Sequence, residues 1–518
     1  MTILSVFLCL LCLSVDGFVY PSAISRSQTL LCSFNPFGSM MGDMASSLLG
    51  GGPNLSRNPA LDEAVQSLAP SWSKVRSDLE AKMTPTELEF RKNLEFGYGE
   101  GSPLHKIRLY DDRNQPEDVR VTFYRDSASW CPYCQKVWIS LEEKKIPYRI
   151  EKVNMNCYGD KPPTFRRLQP SGQIPVATID GTTYRQSNDI LYALEELFPD
   201  HKTLLSPDRS RMQELLRLER QFFGSWMYWL TSGVNPEGCK DILREVDREL
   251  GSSGGPFFMG KEMTTVDCQF APFLERAAAS LLYFKGFQFR VAPGEPTEYP
   301  NVNRWFDAME ERPSYQLTKS DYYTHCWDLP PQLGGCRPEA GSEPFAAAVD
   351  GDKSLTGNRP SWSLPLEAHN GGIEPDWAWT GDEEAAKREA VERISANHEA
   401  IAKFAARGAG KKGMPPVMAP LSDPYATPSE AVVESVDACM QVVAMAILHG
   451  TDSQDTNMQS LATAIAEKGG RELGGGVIRS LRYVQERVGV PRDMKLPAAR
   501  QLRAHLHWSM ETIEKALR

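Results

Sequence analysis

At 518 residues the chain is too long for one hydrophobic core and implies two or three domains. Its apolar share of 41% and charged share of 24% are those of ordinary globular protein. A formal charge of −10, with no dense run of Lys and Arg, argues against a nucleic-acid binder, which carries a basic face.

The longest apolar run, ILSVFLCLLCLSV at residues 3–15, has the length of a signal-peptide core and is too short for a membrane span, although no Lys or Arg precedes it. Residues 17–42 contain no Asp or Glu and several Ser, the composition of a transit peptide. A signal peptide at 1–17 followed by a transit peptide or linker at 18–56 resembles the two-part presequence of algae with secondary plastids. Delivery to the plastid stroma is the expectation; a secreted or cytoplasmic chain is the alternative, and no membrane span is expected in the mature chain. Three of the 11 cysteines, Cys9, Cys12 and Cys32, lie in this leader. The other eight form no regular framework, which suits a reducing compartment.

Residues 57–117 show charged helical patterning, as in SDLEAKM and TPTELEFRKNLEF, with Thr84 and Glu87 as a capping pair. They read as an N-terminal helical arm. Across 118–200 the periodicity predicts a strand at VRVTFYR, a helix at CPYCQKVWISLEEKK, a strand at YRIEKVNM and a short helix at PPTFRRLQ. A hairpin at IPVATIDGTTYR, turning at Asp180-Gly181, and a helix at SNDILYALEELF complete this thioredoxin-like order. Residues 207–320 are helical throughout. Residues 321–380, dense in Pro, Gly and Trp, read as a linker or extended segment. Residues 381–518 turn helical again, with enough apolar side chains to bury a small core of their own. The fold class is therefore α/β plus all-α, with a helical extension.

The stretch SASWCPYCQKVW places Cys131 where a loop meets a helix and Cys134 one turn further in. Unpaired N–H groups and the positive end of the helix dipole favour a thiolate at Cys131. Pro132 suits the first turn because its missing N–H would have had no partner. This geometry makes Cys131 the exposed nucleophile and Cys134 the resolving thiol. A zinc site would need four ligands, and neither Cys157 nor the pair His505 and His507 supplies a second set at ligand spacing. A static cross-link over one turn would constrain little. No metal is expected.

With this motif in place, a thioredoxin-like domain followed by an all-helical one resembles the glutathione transferase superfamily, across about residues 119–320. In PSGQIPV, the family pattern implies a cis bond before Pro175, with the Ile174 backbone free to pair with the cysteinyl part of glutathione. In QSNDI, it implies that Gln186 and Ser187 hold the γ-glutamyl group. Gln186 departs from the family's Glu, and an amide meets an ammonium more weakly than a carboxylate does. Lys161, in DKPPTF, matches a glutathione-contacting lysine of omega-type members; an exposed surface charge is the plainer reading. Thr264 and Asp267 match the family's buried capping box. The cysteine in the activating position points to the omega, dehydroascorbate-reductase and glutaredoxin-like branch, similar to plastid transferase-like proteins of plants and algae.

The resemblance implies a glutathione-dependent thiol oxidoreductase with glutathione as co-substrate and a small-molecule or protein disulfide as partner. A homodimer is one assembly open to it. A conjugating transferase acting on electrophiles, and a non-catalytic binding or scaffold protein, are the alternatives. Phe222, Trp226 and Trp229 share a helical stripe and read either as packed core or as a wall of the second-substrate site.

Overall fold

The computed structural model describes residues 55–368, 373–374 and 382–518. The expected signal peptide, and the transit segment up to residue 54, lie outside the described residues. Three helices come first: α1 (Pro59–Leu68), α2 (Trp72–Lys82) and α3 (Pro85–Asn93). Asn58, Ser71 and Thr84 each accept a first-turn N–H and so fix where these helices start. Thr84 and Glu87 form the reciprocal capping box read from the sequence. A two-residue edge strand, β1 (Ile107–Arg108), follows; the helical reading of this arm did not anticipate it.

The next stretch holds β2 (Val121–Asp126), α4 (Pro132–Lys144), β3 (Tyr148–Val153), α5 (Pro163–Leu168), β4 (Val176–Ile179), β5 (Thr182–Tyr184) and α6 (Ser187–Leu197). Strand order is β1-β3-β2-β4-β5, with β2 and β3 parallel and every other neighbouring pair antiparallel. This is a thioredoxin-like sheet with one added edge strand. Asp180 and Gly181 turn the β4–β5 hairpin at φ of 49° and 83°, the left-handed pair that a two-residue turn requires.

A helical layer packs beside it: α7 (Arg209–Ser232), α8 (Pro236–Ser252), α9 (Thr265–Lys285), α10 (Pro300–Glu310) and α11 (Pro313–Thr318). All of α9 is buried, as befits a helix enclosed on every side. Its box is made by Asp267, which accepts from the Thr264 N–H at 2.8 Å, the Phe258 N–H at 3.1 Å and Trp305 Nε1 at 3.0 Å. Phe222, Trp226 and Trp229 lie in the hydrophobic core.

Within the linker expected over 321–380, the described residues hold two helices and buried side chains instead. Helices α12 (Tyr322–Leu333) and α13 (Glu343–Val349) pack on α9, and Trp362 and Ile373 are buried. Pro330 and Pro331 hid α12 from a propensity reading, but they fall in its last turn. Its earlier turns present Tyr322, Cys326 and Leu329 to the core at helical spacing.

The remaining helices are α14 (Glu383–Ala396), α15 (His398–Ala405), α16 (Val433–His449), α17 (Asp455–Ala464), α18 (Gly470–Arg487) and α19 (Leu496–Leu517). They enclose a second core that also takes in Leu61, Val65, Trp72, Val75 and Leu79 of α1 and α2. The arm thus docks on the extension, where Trp72 Nε1 donates to both carboxylate oxygens of Asp437 at 3.0 and 3.1 Å. Among the described residues no helix is long and apolar enough to cross a membrane.

Candidate active site

Strand β2 ends at Asp126, and the chain crosses a short loop to Cys131, the residue capping the N-terminus of α4. Both Cys131 and Cys134 are free thiols. Cys131 is only 6% exposed, which corrects the expectation of an exposed nucleophile. Its sulfur lies 4.0 Å from the Ile174 carbonyl oxygen, and Cys131 belongs to the same apolar cluster as Trp130 and Phe273. The sequence places the thiol at a helix terminus but does not reveal that α9 packs against α4 there. Cys134 is 1% exposed. Burial first, and then its hydrogen bond with Cys131, raise the Cys134 thiol well above the ordinary range.

The Ile174-Pro175 bond is cis. The β2–β4 pairing ends at Tyr124 and Val176, so the backbone of half-buried Ile174 lies outside the ladder beside Cys131. Gln186 and Ser187 open α6, with Gln186 exposed and Ser187 half-buried. Lys136 of α4 reaches this turn: its ammonium donates to Asn188 Oδ1 at 2.8 Å and to Gln269 Oε1 at 3.2 Å. Lys161 is buried rather than a surface charge, and its ammonium bonds the Asn154 carbonyl oxygen. Burial lowers its pKa, while the two cysteine sulfurs act in the opposite sense. Lys136, Lys161 and Arg276 all lie close enough to Cys131 to interact with its charge.

Two features of the site escaped the sequence reading. Asp126 brings a carboxylate oxygen within 4.8 Å of both sulfurs, a set of three potential ligand atoms that is one short of a four-coordinate zinc site. Its Oδ2 accepts from the Trp130 N–H at 2.6 Å, whereas Oδ1 is buried without a hydrogen-bond partner. An acidic residue closing the strand before the loop was the available signal. The second feature is a buried polar cluster behind Trp130. Arg276 bonds the Trp130 carbonyl oxygen, and Gln135 donates to Glu275 at 2.9 Å.

A thioredoxin-like sheet with a thiol at a helix start, backed by an all-helical layer, defines the glutathione-transferase architecture. Residues 130–197 match the family described as glutathione S-transferase, N-terminal domain, and residues 236–308 match glutathione S-transferase, C-terminal domain. Over these residues the chain is similar to the two domains of the glutathione S-transferase family. Among relatives, it is 29% identical to glutathione S-transferase DHAR2 of Arabidopsis thaliana, over 37% of this chain and 84% of that protein. It is 25% identical to the chloroplastic glutathione S-transferase DHAR3 of the same organism, over 37% of this chain and 69% of that protein. The crystal structure of Chlamydomonas reinhardtii dehydroascorbate reductase covers 40% of this chain and 94% of its own, at 23% identity and a TM-score of 0.33.

Proposed function

We propose that the protein is a glutathione-dependent thiol oxidoreductase in which Cys131 is the nucleophile and Cys134 the resolving thiol. The observation that carries this reading is the seating of the Cys131 sulfur 4.0 Å from the Ile174 carbonyl, beside a cis-proline at a helix N-terminus. The glutathione S-transferase names of its relatives support the same reading.

In the reaction, the Cys131 thiolate attacks the glutathione sulfur of a mixed disulfide. The S–S bond breaks, the substrate thiol leaves with the electron pair, and Cys131 carries glutathione. A second glutathione thiolate then attacks that glutathione sulfur, returning Cys131 as thiolate and releasing oxidised glutathione. Alternatively, Cys134 attacks Cys131, glutathione leaves, and the internal disulfide is reduced by two further glutathiones. The Ile174 backbone pairs with the cysteinyl unit of glutathione. Ser187 and the N–H groups at the start of α6 meet its γ-glutamyl carboxylate, Gln186 contacts the γ-glutamyl group, and Lys161 supplies a cation. Because Cys131 is 6% exposed, a tripeptide thiol and a small oxidised substrate suit the site better than a folded protein disulfide. The acid-free segment at 17–42 and the chloroplastic relative favour plastid delivery, which a fluorescent fusion to residues 1–56 tests by its location.

The decisive experiment incubates purified protein with oxidised glutathione and locates the adduct by mass spectrometry. The adduct is expected on Cys131 and is lost in Cys131→Ser together with turnover of a glutathionylated small thiol. Normal turnover by Cys131→Ser overturns the assignment, and conjugation of an aryl halide without disulfide exchange moves it to the conjugating transferases.

A further inference from the structure

Trp130, the residue before the proposed nucleophile, is fastened at all three of its hydrogen-bonding groups by buried side chains. Its N–H donates to Asp126 Oδ2 at 2.6 Å, its carbonyl accepts from Arg276, and its indole Nε1 donates to His325 Nδ1 at 3.0 Å. Asp126 and Arg276 are each 1% exposed and His325 is fully buried. Because Nδ1 accepts from the indole, the proton of a neutral imidazole must sit on Nε2, which lies 2.7 Å from Glu275 Oε1. Burial holds the His325 pKa below the usual imidazole value, consistent with this neutral tautomer. The other Glu275 oxygen accepts from Gln135, and Gln135 Oε1 in turn accepts from Arg276 at 2.7 Å, so the network closes on itself.

His325 lies on α12, beyond the residues that match the transferase domains. Asp321 caps that helix by accepting from the Thr324 N–H at 3.0 Å, and its other oxygen accepts from Arg503 of α19 at 2.7 Å. Both members of this ion pair are buried. A continuous buried path therefore runs from the last helix of the chain, through Asp321 and α12, to Trp130 and the cysteine loop.

We infer that His325 is a positioning residue for Cys131, and that the helices beyond the transferase domains are part of the working site through it. This rests on Cys131 being the nucleophile. By fixing the Trp130 indole, His325 holds the Trp130–Cys131 peptide in register with Arg276 and keeps the thiol at the mouth of α4. The charged and titratable groups facing that sulfur are Tyr133, Cys134 and Lys136 of α4, Arg276 of α9, and Asp126 and Lys161. Loosening the peptide changes the distance from the sulfur to all of them.

The test is the pH profile of iodoacetamide alkylation at Cys131, followed by peptide mass spectrometry in the full chain. It reads the thiol whether or not glutathione is the substrate, so failure of the oxidoreductase reading would leave it interpretable. Two variants divide the two bonds of His325: H325N keeps an acceptor for the indole, and H325Q keeps a donor for Glu275. H325Q is expected to move the alkylation midpoint by about half a pH unit or more, and H325N to stay near the parent. Identical profiles for parent, H325N and H325Q overturn the inference, as does a larger shift in H325N. If H325Q does not fold, R276K is read in its place. It keeps the cation but loses the fixed geometry at the Trp130 carbonyl, and an unshifted midpoint there also overturns the inference.

Discussion

The Lys136 ammonium lies 2.8 Å from Asn188 Oδ1, so the helix that begins at the cysteine pair is tied directly to the first turn of α6. One end of this link is the proposed thiol chemistry and the other the proposed γ-glutamyl site. Burial pushes the Lys136 pKa down to about 8. Replacing Lys136 with Met is expected to raise KM for glutathione about tenfold with little change in kcat, because what is lost is positioning of the ligand. In the parent, KM should climb as pH rises through 8 and the ammonium loses its proton, whereas in K136M it should stay flat. Steady-state kinetics between pH 6.5 and 9 check this, and an unchanged KM in K136M refutes it.

The two thiols should differ sharply in reactivity. Cys134 is buried, and its thiol is held protonated far above neutral pH by burial and by Cys131. At pH 7 iodoacetamide is expected to label Cys131 and spare Cys134. Cys134→Ser should retain exchange with a small mixed disulfide, since a second glutathione can resolve the adduct, but lose the internal disulfide. Peptide mapping decides, and labelling of Cys134 ahead of Cys131 would reverse the assigned roles.

Asp267 accepts from four buried donors in the helical layer: the Thr264 N–H at 2.8 Å, the Trp305 indole at 3.0 Å, and the Phe258 N–H and Thr264 hydroxyl at 3.1 Å. Asp267→Ala leaves the Thr264 and Phe258 amides and the Trp305 indole unpaired and removes the cap of α9. A loss of about 3 kcal/mol or more follows, read from the urea midpoint. Whatever fraction stays folded should keep its Cys131 alkylation rate, because Asp267 does not touch the thiol.

Acid should weaken the fold through buried histidines. Burial pushes His505 down to about 4 and His105 to about 3. Each titrates near 6.5 in the unfolded chain, so the unfolded state binds more protons below that value. The stability is intact above pH 6.5 and is lost as pH falls toward the folded-state values. His505 alone should account for about 2 kcal/mol at pH 5. Urea midpoints at pH 7 and pH 5 measure the loss, and H505N should shrink it; an equal loss in both proteins would rule this origin out.

What could be read from the sequence was what its neighbours in the chain determine. Cys131, Pro132 and Cys134 share one helical turn, Thr264 and Asp267 another, and Asp180-Gly181 is a complete turn signal by itself; each was legible because its physics spans a few residues. The burial of Cys131 was not legible because α9, which packs against α4, begins more than a hundred residues later. His325 gave no local sign of its role, since its partner Trp130 is 195 positions away. Helix α12 was obscured by the two prolines in its last turn, although its aromatic spacing was there to be read.

The shared core of α1 and α2 with α14–α19 bears on how the chain is made. Leu61 and Val75 are buried with side chains as late as Ile513, so the apolar faces of α1 and α2 are fully covered only once α19 has been made. The thioredoxin-like and transferase-helical parts share a separate core and can condense while the flanks are still open. Assembly is therefore expected to end with a clasp, in which α1 and α2 fasten onto α14–α19 around an already folded middle.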